Sequence, residues 1–129
     1  MDKQTKNWLT SAERDWETAK DLFKTAHYDA CLFFCHLALE KSLKGLVALA
    51  TNEPAPYVHD LERLARFAKL PLSEKQKENL LIITTFNIAG RYQDEKNLLY
   101  KKATKAYTEK YVNITENLFL WLKQQYPKK

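Results

Sequence analysis

The stretch that decides the fold runs from Tyr28 to Ala50 and reads YDACLFFCHLALEKSLKGLVALA. Its first half is apolar on every side of a helix, because His36 is the only polar residue between Ala30 and Leu39. A helix of this kind is buried by other helices over most of its surface. Polar residues interrupt the second half, which we therefore expect to be amphipathic and to reach the surface. These residues are Glu40, Lys41, Ser42 and Lys44.

A membrane span is the alternative interpretation, since the stretch is about as long as the roughly 20 residues that cross a bilayer. Its charged residues argue against this, because helical spacings of seven and four place several of them on one stripe. The stripe consists of Asp29, His36, Glu40 and Lys44. The opening sequence MDKQTKNW contains no apolar signal region. We therefore predict a central bundle helix in a cytoplasmic protein with no membrane segment.

Helical periodicity extends to both sides of this stretch. From about residue 4 to 26, apolar residues recur at intervals of three and four and predict an amphipathic first helix anchored by Trp8 and Trp16. Asp15 borders its apolar face. After a proline-containing loop, Asp60 is placed to open a short third helix, where a carboxylate favours the positive end of the helix dipole.

The second half of the chain contains two further predicted helices. Ser73 and Gln76 have the spacing of a capping box and start the fourth helix, which we expect to end at Gly90 in a left-handed conformation. A polar connection follows, and the last helix is expected from about residue 102 to 125. Two glycines and four prolines in 129 residues are too few for a sheet protein with frequent turns. The predicted fold is a single all-α domain, an antiparallel up-and-down bundle of about five helices.

Composition restricts the partners and the chemistry. The net charge of +5 is uneven, because residues 1–64 carry 8 basic and 10 acidic side chains and residues 65–129 carry 13 and 6. This favours an acidic partner such as a nucleotide, RNA or an acidic protein surface, with a solvated lysine-rich face as the equal alternative. The 3 Trp, 7 Tyr and 6 Phe exceed what one small core readily hides and favour a homodimer. His27, Cys31 and Cys35 follow one another at one-turn spacing, but no other cysteine completes a zinc site, so no metal is expected.

Two groups of side chains are candidates for binding. Arg91 lies in a predicted loop, where its guanidinium can hold a phosphate in bidentate fashion while the ring of Tyr92 stacks on a base. The alternative is that Arg91 pairs with Asp15 or Glu40 inside the bundle. On the central helix, Glu40 is expected to pair with the residues one turn away. The candidate nucleotide- or phosphate-binding residues are Arg91, Tyr92, Lys41 and Lys44, and the polar residues expected to line a groove are Asp15, His36 and Glu40.

Taken together, these segments resemble the HEPN family of small helical proteins over roughly residues 5 to 125. The most specific match is Ala38 to Lys44, which is close to the family's A-x-E-K-x-L-K. The other matching pieces are Ala12-x-x-Asp15, Ala19-x-x-Leu22, the run from His27 to Phe34, His59-Asp60-Leu61, and Arg91-Tyr92.

The resemblance implies an antiparallel bundle that forms homodimers in prokaryotes, often paired with a minimal nucleotidyltransferase in toxin-antitoxin systems. Many family members are metal-independent ribonucleases that use an Arg followed four to six residues later by a His. Here no His follows Arg91, and Gln93 replaces the proline of the related Arg-Tyr-Pro form. The resemblance thus predicts a non-catalytic dimeric subunit that binds a nucleotide or a nucleotidyltransferase partner and needs no cofactor. The alternatives are a ribonuclease toxin with a displaced set of His36, Arg91 and Tyr92, and a structural oligomeric scaffold.

Overall fold

The structure is a computed structural model that describes residues 1–128. This range forms six α-helices and contains no strand. The helices are α1 (Lys3–Lys24), α2 (Tyr28–Thr51), α3 (Leu61–Phe67), α4 (Glu74–Thr84), α5 (Gln93–Lys102) and α6 (Lys105–Gln124). The prediction of an all-α bundle is confirmed, with one helix more than expected. No helix within residues 1–128 combines the length and the apolar character that crossing a bilayer requires.

Helix α2 is the centre of the bundle, and α1, α3 and α6 all pack against it. The chain reverses between α1 and α2 through Ala26, whose φ of 60° lies in the left-handed region, and the His27 N–H donates to the Leu22 carbonyl at 2.9 Å. Both cysteines of α2 are free and buried, as small apolar side chains would be.

The second half of α2 differs from the expectation of an amphipathic helix that reaches the surface. Glu40, Ser42 and Lys44 are all buried, and only at Ala50 does α2 become exposed. The reason is that α1 and the loop before α3 close over its polar side chains. Periodicity along one helix carries no information about a loop that covers it.

The helix starts follow the local sequence signals. Ser73 and Gln76 form the predicted capping box, in which each side chain accepts a backbone N–H from the other residue. Asp60 caps α3 by accepting from the Arg63 N–H. The Leu61 N–H then donates to the Thr84 hydroxyl oxygen at 3.1 Å, which fastens the start of α3 to the end of α4.

The region after α4 departs most from the prediction. Helix α4 ends at Thr84 and not at Gly90, and the expected polar connection contains the additional helix α5. Gly90 does adopt a left-handed φ of 72°, but it does so in the turn between α4 and α5. The early end of α4 directs Phe86 into the core, where it is fully buried and meets the Tyr111 ring edge-on at 5.3 Å.

Candidate functional site

Glu40 lies at the centre of a buried polar cluster between α2 and the loop that leads to α3. Its side chain is almost fully buried, yet both carboxylate oxygens have partners. Oε2 lies 3.1 Å from Lys44 Nζ, and Oε1 lies 3.0 Å from His59 Nδ1 and 3.5 Å from His36 Nε2. The one-turn spacing of His36, Glu40 and Lys44 gives this arrangement its geometry, as the sequence predicted. We call these four residues the Glu40 cluster.

The Glu40 cluster holds the loop before α3 through two contacts, one to the backbone of His59 and one to its side chain. His36 Nε2 lies 3.1 Å from the His59 carbonyl oxygen and donates to it, while the His59 ring contacts Glu40. This assigns the proton of the neutral His36 ring to Nε2, and Nδ1 is then buried without a partner. Burial, the largest effect, lowers the pKa of His36. His36 is therefore a neutral, enclosed donor that no substrate reaches.

The positive charge of Lys44 is balanced by Glu40, and two aromatic rings lie over its ammonium group. Its ammonium lies 5.5 Å from the centre of the Trp8 ring and 5.7 Å from that of the Tyr57 ring, both within cation–π range. Tyr57 is 94% exposed and also meets the His59 ring edge-on at 5.6 Å. Because Glu40 already neutralises the ammonium, Lys44 offers no free charge to a phosphate.

Lys41 has a similar role on the neighbouring side of α2. Its ammonium lies 2.7 Å from Asp15 Oδ2 and donates to the Ser11 hydroxyl at 2.8 Å. Asp15 is mostly buried, so this pair fastens α1 to α2. An open groove of about 580 Å³ runs along α1 beside the two lysines and is lined by Lys3, Gln4, Asn7, Trp8 and Ser11.

Arg91 and Tyr92 lie elsewhere, at the start of α5. Arg91 Nη1 pairs with Glu95 Oε2 at 3.1 Å, one turn along the chain, and both side chains are 45% exposed. The alternative of a buried pair with Asp15 or Glu40 is wrong, since Lys41 and Lys44 occupy those carboxylates. Tyr92 precedes α5 and is 84% exposed.

The structure thus divides the predicted site residues into two groups. Asp15, His36, Glu40, Lys41 and Lys44 join α1, α2 and the α3 loop, whereas Arg91 and Tyr92 face solvent just before α5. No hydrogen bond or ion pair within residues 1–128 connects the groups. Cleavage of RNA through its 2′-hydroxyl requires a titrating base and a cation at the same phosphate. Arg91 and Tyr92 have no histidine beside them, and the lysines of the first group are already paired with Asp15 and Glu40.

Sequence reasoning missed three members of the first group: Trp8, Tyr57 and His59. The signal for His59 was its position in His59-Asp60-Leu61, but only Asp60 was assigned a structural role. His59 lies 19 residues from Glu40, so no helical spacing connects them. In the described part of the chain, no three His, Cys, Asp or Glu side chains are arranged as a metal would require.

Comparison with known proteins gives one family and one fold. The family model described as HEPN domain matches residues 5–125. The crystal structure of TT1696 from Thermus thermophilus superposes with a TM-score of 0.77 at 19% identity, covering 95% of this chain and 98% of that one. ST0689, described as an archaeal HEPN homologue, gives a TM-score of 0.67 at 21% identity, with 96% and 98% covered. At these identities the structures establish the fold alone, and no curated protein matches the chain.

Proposed function

Because this chain belongs to the HEPN family, we propose that it is a non-catalytic, homodimeric binding subunit. It engages a nucleotide or a minimal nucleotidyltransferase through the basic surface around Arg91, as one member of a toxin-antitoxin-like pair. The observation that carries this proposal is the placement of the histidines. His36 and His59 are committed to Glu40, His27 lies in the α1–α2 turn, and the partner of Arg91 is Glu95.

The segment that follows Arg91 along the chain is rich in lysine, which favours an anionic ligand. Lys96, Lys101 and Lys102 lie on α5, and Lys105 begins α6. The exposed pair of Arg91 with Glu95 contributes only about 0.2 to 1 kcal/mol, so a phosphate can replace the carboxylate readily. The adjacent Tyr92 ring is free to stack on a base.

Exposed apolar side chains support the homodimer. Large ones stand on three different helices: Leu81 on α4, Leu98 and Tyr100 on α5, and Leu120 on α6. Apolar groups left on the surface in this way mark contact sites when they are contiguous. Sedimentation velocity tests the dimer directly, and a monomer at micromolar concentration would contradict this part of the proposal.

A thermal-shift experiment tests the ligand. The purified protein is heated with ATP, GTP, CTP, UTP or a short RNA, alongside Arg91→Ala and the matched control Arg66→Ala. Arg66 is suited to this control because it also forms an exposed one-turn pair, with Glu62 at 2.7 Å. A ligand at a hundred times its Kd adds about 2.7 kcal/mol of stability, which raises the Tm by several degrees.

We expect this shift to be lost in Arg91→Ala and retained in Arg66→Ala. If no ligand shifts the Tm, the purified protein is tested for retention of a co-expressed nucleotidyltransferase. If no ligand shifts the Tm and no nucleotidyltransferase is retained, the proposal is refuted and the structural scaffold remains as the function.

The ribonuclease alternative is tested separately by incubating the protein with total RNA in the presence of a chelator. We expect no degradation, because the displaced set of His36, Arg91 and Tyr92 would need a histidine that is fully buried on another part of the bundle. Degradation by the wild type that Arg91→Ala abolishes would show that the non-catalytic assignment is wrong.

A further inference from the structure

A second groove lies away from the Glu40 cluster, where the α1–α2 turn meets the α5–α6 turn. It has a volume of about 410 Å³ and is lined by Ala26, His27, Tyr28, Asp29, Tyr100, Lys101, Ala103 and Thr104. This volume lies in the lower part of the range of small-molecule sites, about 300 to 1,000 Å³. We call it the turn groove.

One wall of the turn groove, formed by the α1–α2 turn and the start of α2, presents hydrogen-bond acceptors. His27 Nδ1 lies 2.9 Å from the Thr25 hydroxyl oxygen, and that hydroxyl donates to the Asp21 carbonyl at 3.1 Å. Because the hydroxyl has a single proton, His27 Nδ1–H is the donor in the first contact, and the neutral ring keeps Nε2 as an acceptor. The Asp29 carboxylate, which only accepts, lines the same groove. This wall therefore suits a positively charged group with several N–H donors.

The other wall, formed by the end of α5 and the α5–α6 turn, presents donors. Lys101 contributes an ammonium group and Thr104 contributes a hydroxyl. The Thr104 oxygen accepts from the Tyr107 N–H at 3.2 Å, which leaves the hydroxyl proton to donate to a ligand. A carboxylate, which only accepts hydrogen bonds, matches these two donors.

The two charged groups of the turn groove are not neutralised by the protein. The ion pairs found among residues 1–128 include neither Asp29 nor Lys101. The two groups also do not pair with each other, although both line the groove. Lys41 and Lys44 differ in this respect, because carboxylates of the bundle already hold them. A ligand that carries both a cation and an anion would neutralise Asp29 and Lys101 at once.

Two tyrosine rings supply apolar surface to the same groove. Tyr100 is 68% exposed, whereas Tyr28 is half-buried against Phe23, with the two ring centres 5.7 Å apart. An exposed aromatic ring offers a face or an edge against which a second ring packs. The turn groove thus combines aromatic surface with two walls of opposite polarity.

We propose that the turn groove binds a free α-amino acid with an aromatic side chain. The α-ammonium group of the ligand donates to the Asp29 carboxylate and to His27 Nε2. Its carboxylate accepts from Lys101 and Thr104, and its ring packs against Tyr100. This inference goes beyond the proposed function, because the ligand is not a nucleotide and the site requires neither Arg91 nor a protein partner.

Titration of the full chain, followed by two-dimensional NMR of its amide groups, tests the site with L-phenylalanine, L-tyrosine and L-tryptophan. Two partial ligands each lack one charge of the amino acid: phenethylamine has only the ammonium, and phenylpropionate has only the carboxylate. We expect at least one amino acid to bind and to shift the amide signals of Tyr28, Lys101 and Thr104. Both partial ligands should bind about fivefold more weakly than L-phenylalanine, or weaker still, because each loses the hydrogen bonds of one charged group.

Variants of the two walls should respond to different parts of the ligand. Lys101→Ala should weaken the binding of L-phenylalanine about fivefold or more and leave the Kd of phenethylamine unchanged, because that ligand has no carboxylate. Asp29→Asn should also weaken the binding of L-phenylalanine, but it should leave the Kd of phenylpropionate unchanged. Lys102→Ala and Asp21→Asn are the matched controls, since neither residue lines the groove, and each should change the Kd less than about twofold.

Three outcomes would overturn the inference. None of the amino acids binds, the shifted amide signals lie away from the groove, or a partial ligand binds as tightly as L-phenylalanine, in which case one charge suffices. The Kd in Arg91→Ala should equal that of the wild type, so a failure here leaves the proposed function intact. The Tm of each ligand-free variant is measured as well, which separates a loss of binding from a loss of folding.

Discussion

Removing the carboxylate of Glu40 is the perturbation that tests most severely how this bundle is held together. In Glu40→Ala, the Lys44 ammonium stays buried, with a side chain only 8% exposed, and loses the anion 3.1 Å away. Breaking a buried ion pair from one side destabilises a protein by about 3 to 5 kcal/mol. Loss of the His59 contact adds roughly 0.5 to 1.5 kcal/mol. The expected total of about 3.5 to 6.5 kcal/mol is a large part of the 5 to 15 kcal/mol that stabilises a typical domain.

Urea unfolding followed by circular dichroism measures this loss. The double variant Glu40→Leu/Lys44→Met is the informative comparison, because replacing both members of a buried pair by apolar groups is often neutral or stabilising. We expect the double variant to recover most of the stability lost in Glu40→Ala. Glu17→Ala serves as the control, since Glu17 pairs with Lys20 at 2.8 Å on the surface and its removal should leave the midpoint unchanged.

Two results would refute this reasoning. A loss below about 1 kcal/mol in Glu40→Ala would mean that water reaches Lys44 and that the ion pair behaves as a surface pair. A double variant as unstable as Glu40→Ala would mean that the shape of the glutamate, and not its charge, supports the α3 loop.

Three further predictions concern single positions. Because the pKa of His36 is lowered in the folded protein, the unfolded chain, with a histidine pKa of about 6.5, binds the proton more tightly. The free energy of unfolding should therefore decrease as the pH drops below about 6.5. His36→Gln, which keeps a hydrogen-bond donor, should remove this contribution to the pH dependence of stability measured by urea unfolding. Gly45→Ala should destabilise by about 1 to 3 kcal/mol, because the new methyl group would meet the Tyr126 hydroxyl; an unchanged Tm would contradict this. Thr84→Val should cost about 1 to 3 kcal/mol and speed hydrogen exchange at the Leu61 amide, since that N–H loses its acceptor; unaltered exchange would show that another acceptor replaces the hydroxyl.

The parts of the fold that the sequence predicts are those with a local cause. The capping box follows from Ser73 and Gln76, which are three residues apart. The central position of α2 follows from an apolar run that leaves no side of the helix suited to solvent. The end of α4 could not be predicted in this way, because it depends on the burial of Phe86 between rings of α6. A terminal glycine at residue 90 was the stronger local signal, and tertiary packing prevailed over it.

The candidate site follows the same division between local and distant contacts. Pairing of Glu40 with Lys44 was predicted from the one-turn spacing, and the pair of Arg91 with Glu95 has the same spacing and was available to the same rule. The contact of His59 with Glu40 could not be predicted from spacing, because it depends on the path of a loop that no periodicity describes.

The most specific part of the family resemblance, Ala38 to Lys44, is buried in this structure except at Lys41. Glu40 and Lys44 belong to the A-x-E-K-x-L-K match, His59 belongs to the His59-Asp60-Leu61 match, and all three meet in the Glu40 cluster. A match to these motifs is therefore evidence that a chain folds this way, because these residues hold α3 to α2: Glu40 and Lys44 are buried, and the half-exposed ring of His59 is held by the Glu40 carboxylate. It follows that function has to be sought in exposed groups that the bundle does not use for its own stability. In this chain one such group is Arg91, just before α5, and the ligand screen with Arg91→Ala tests it.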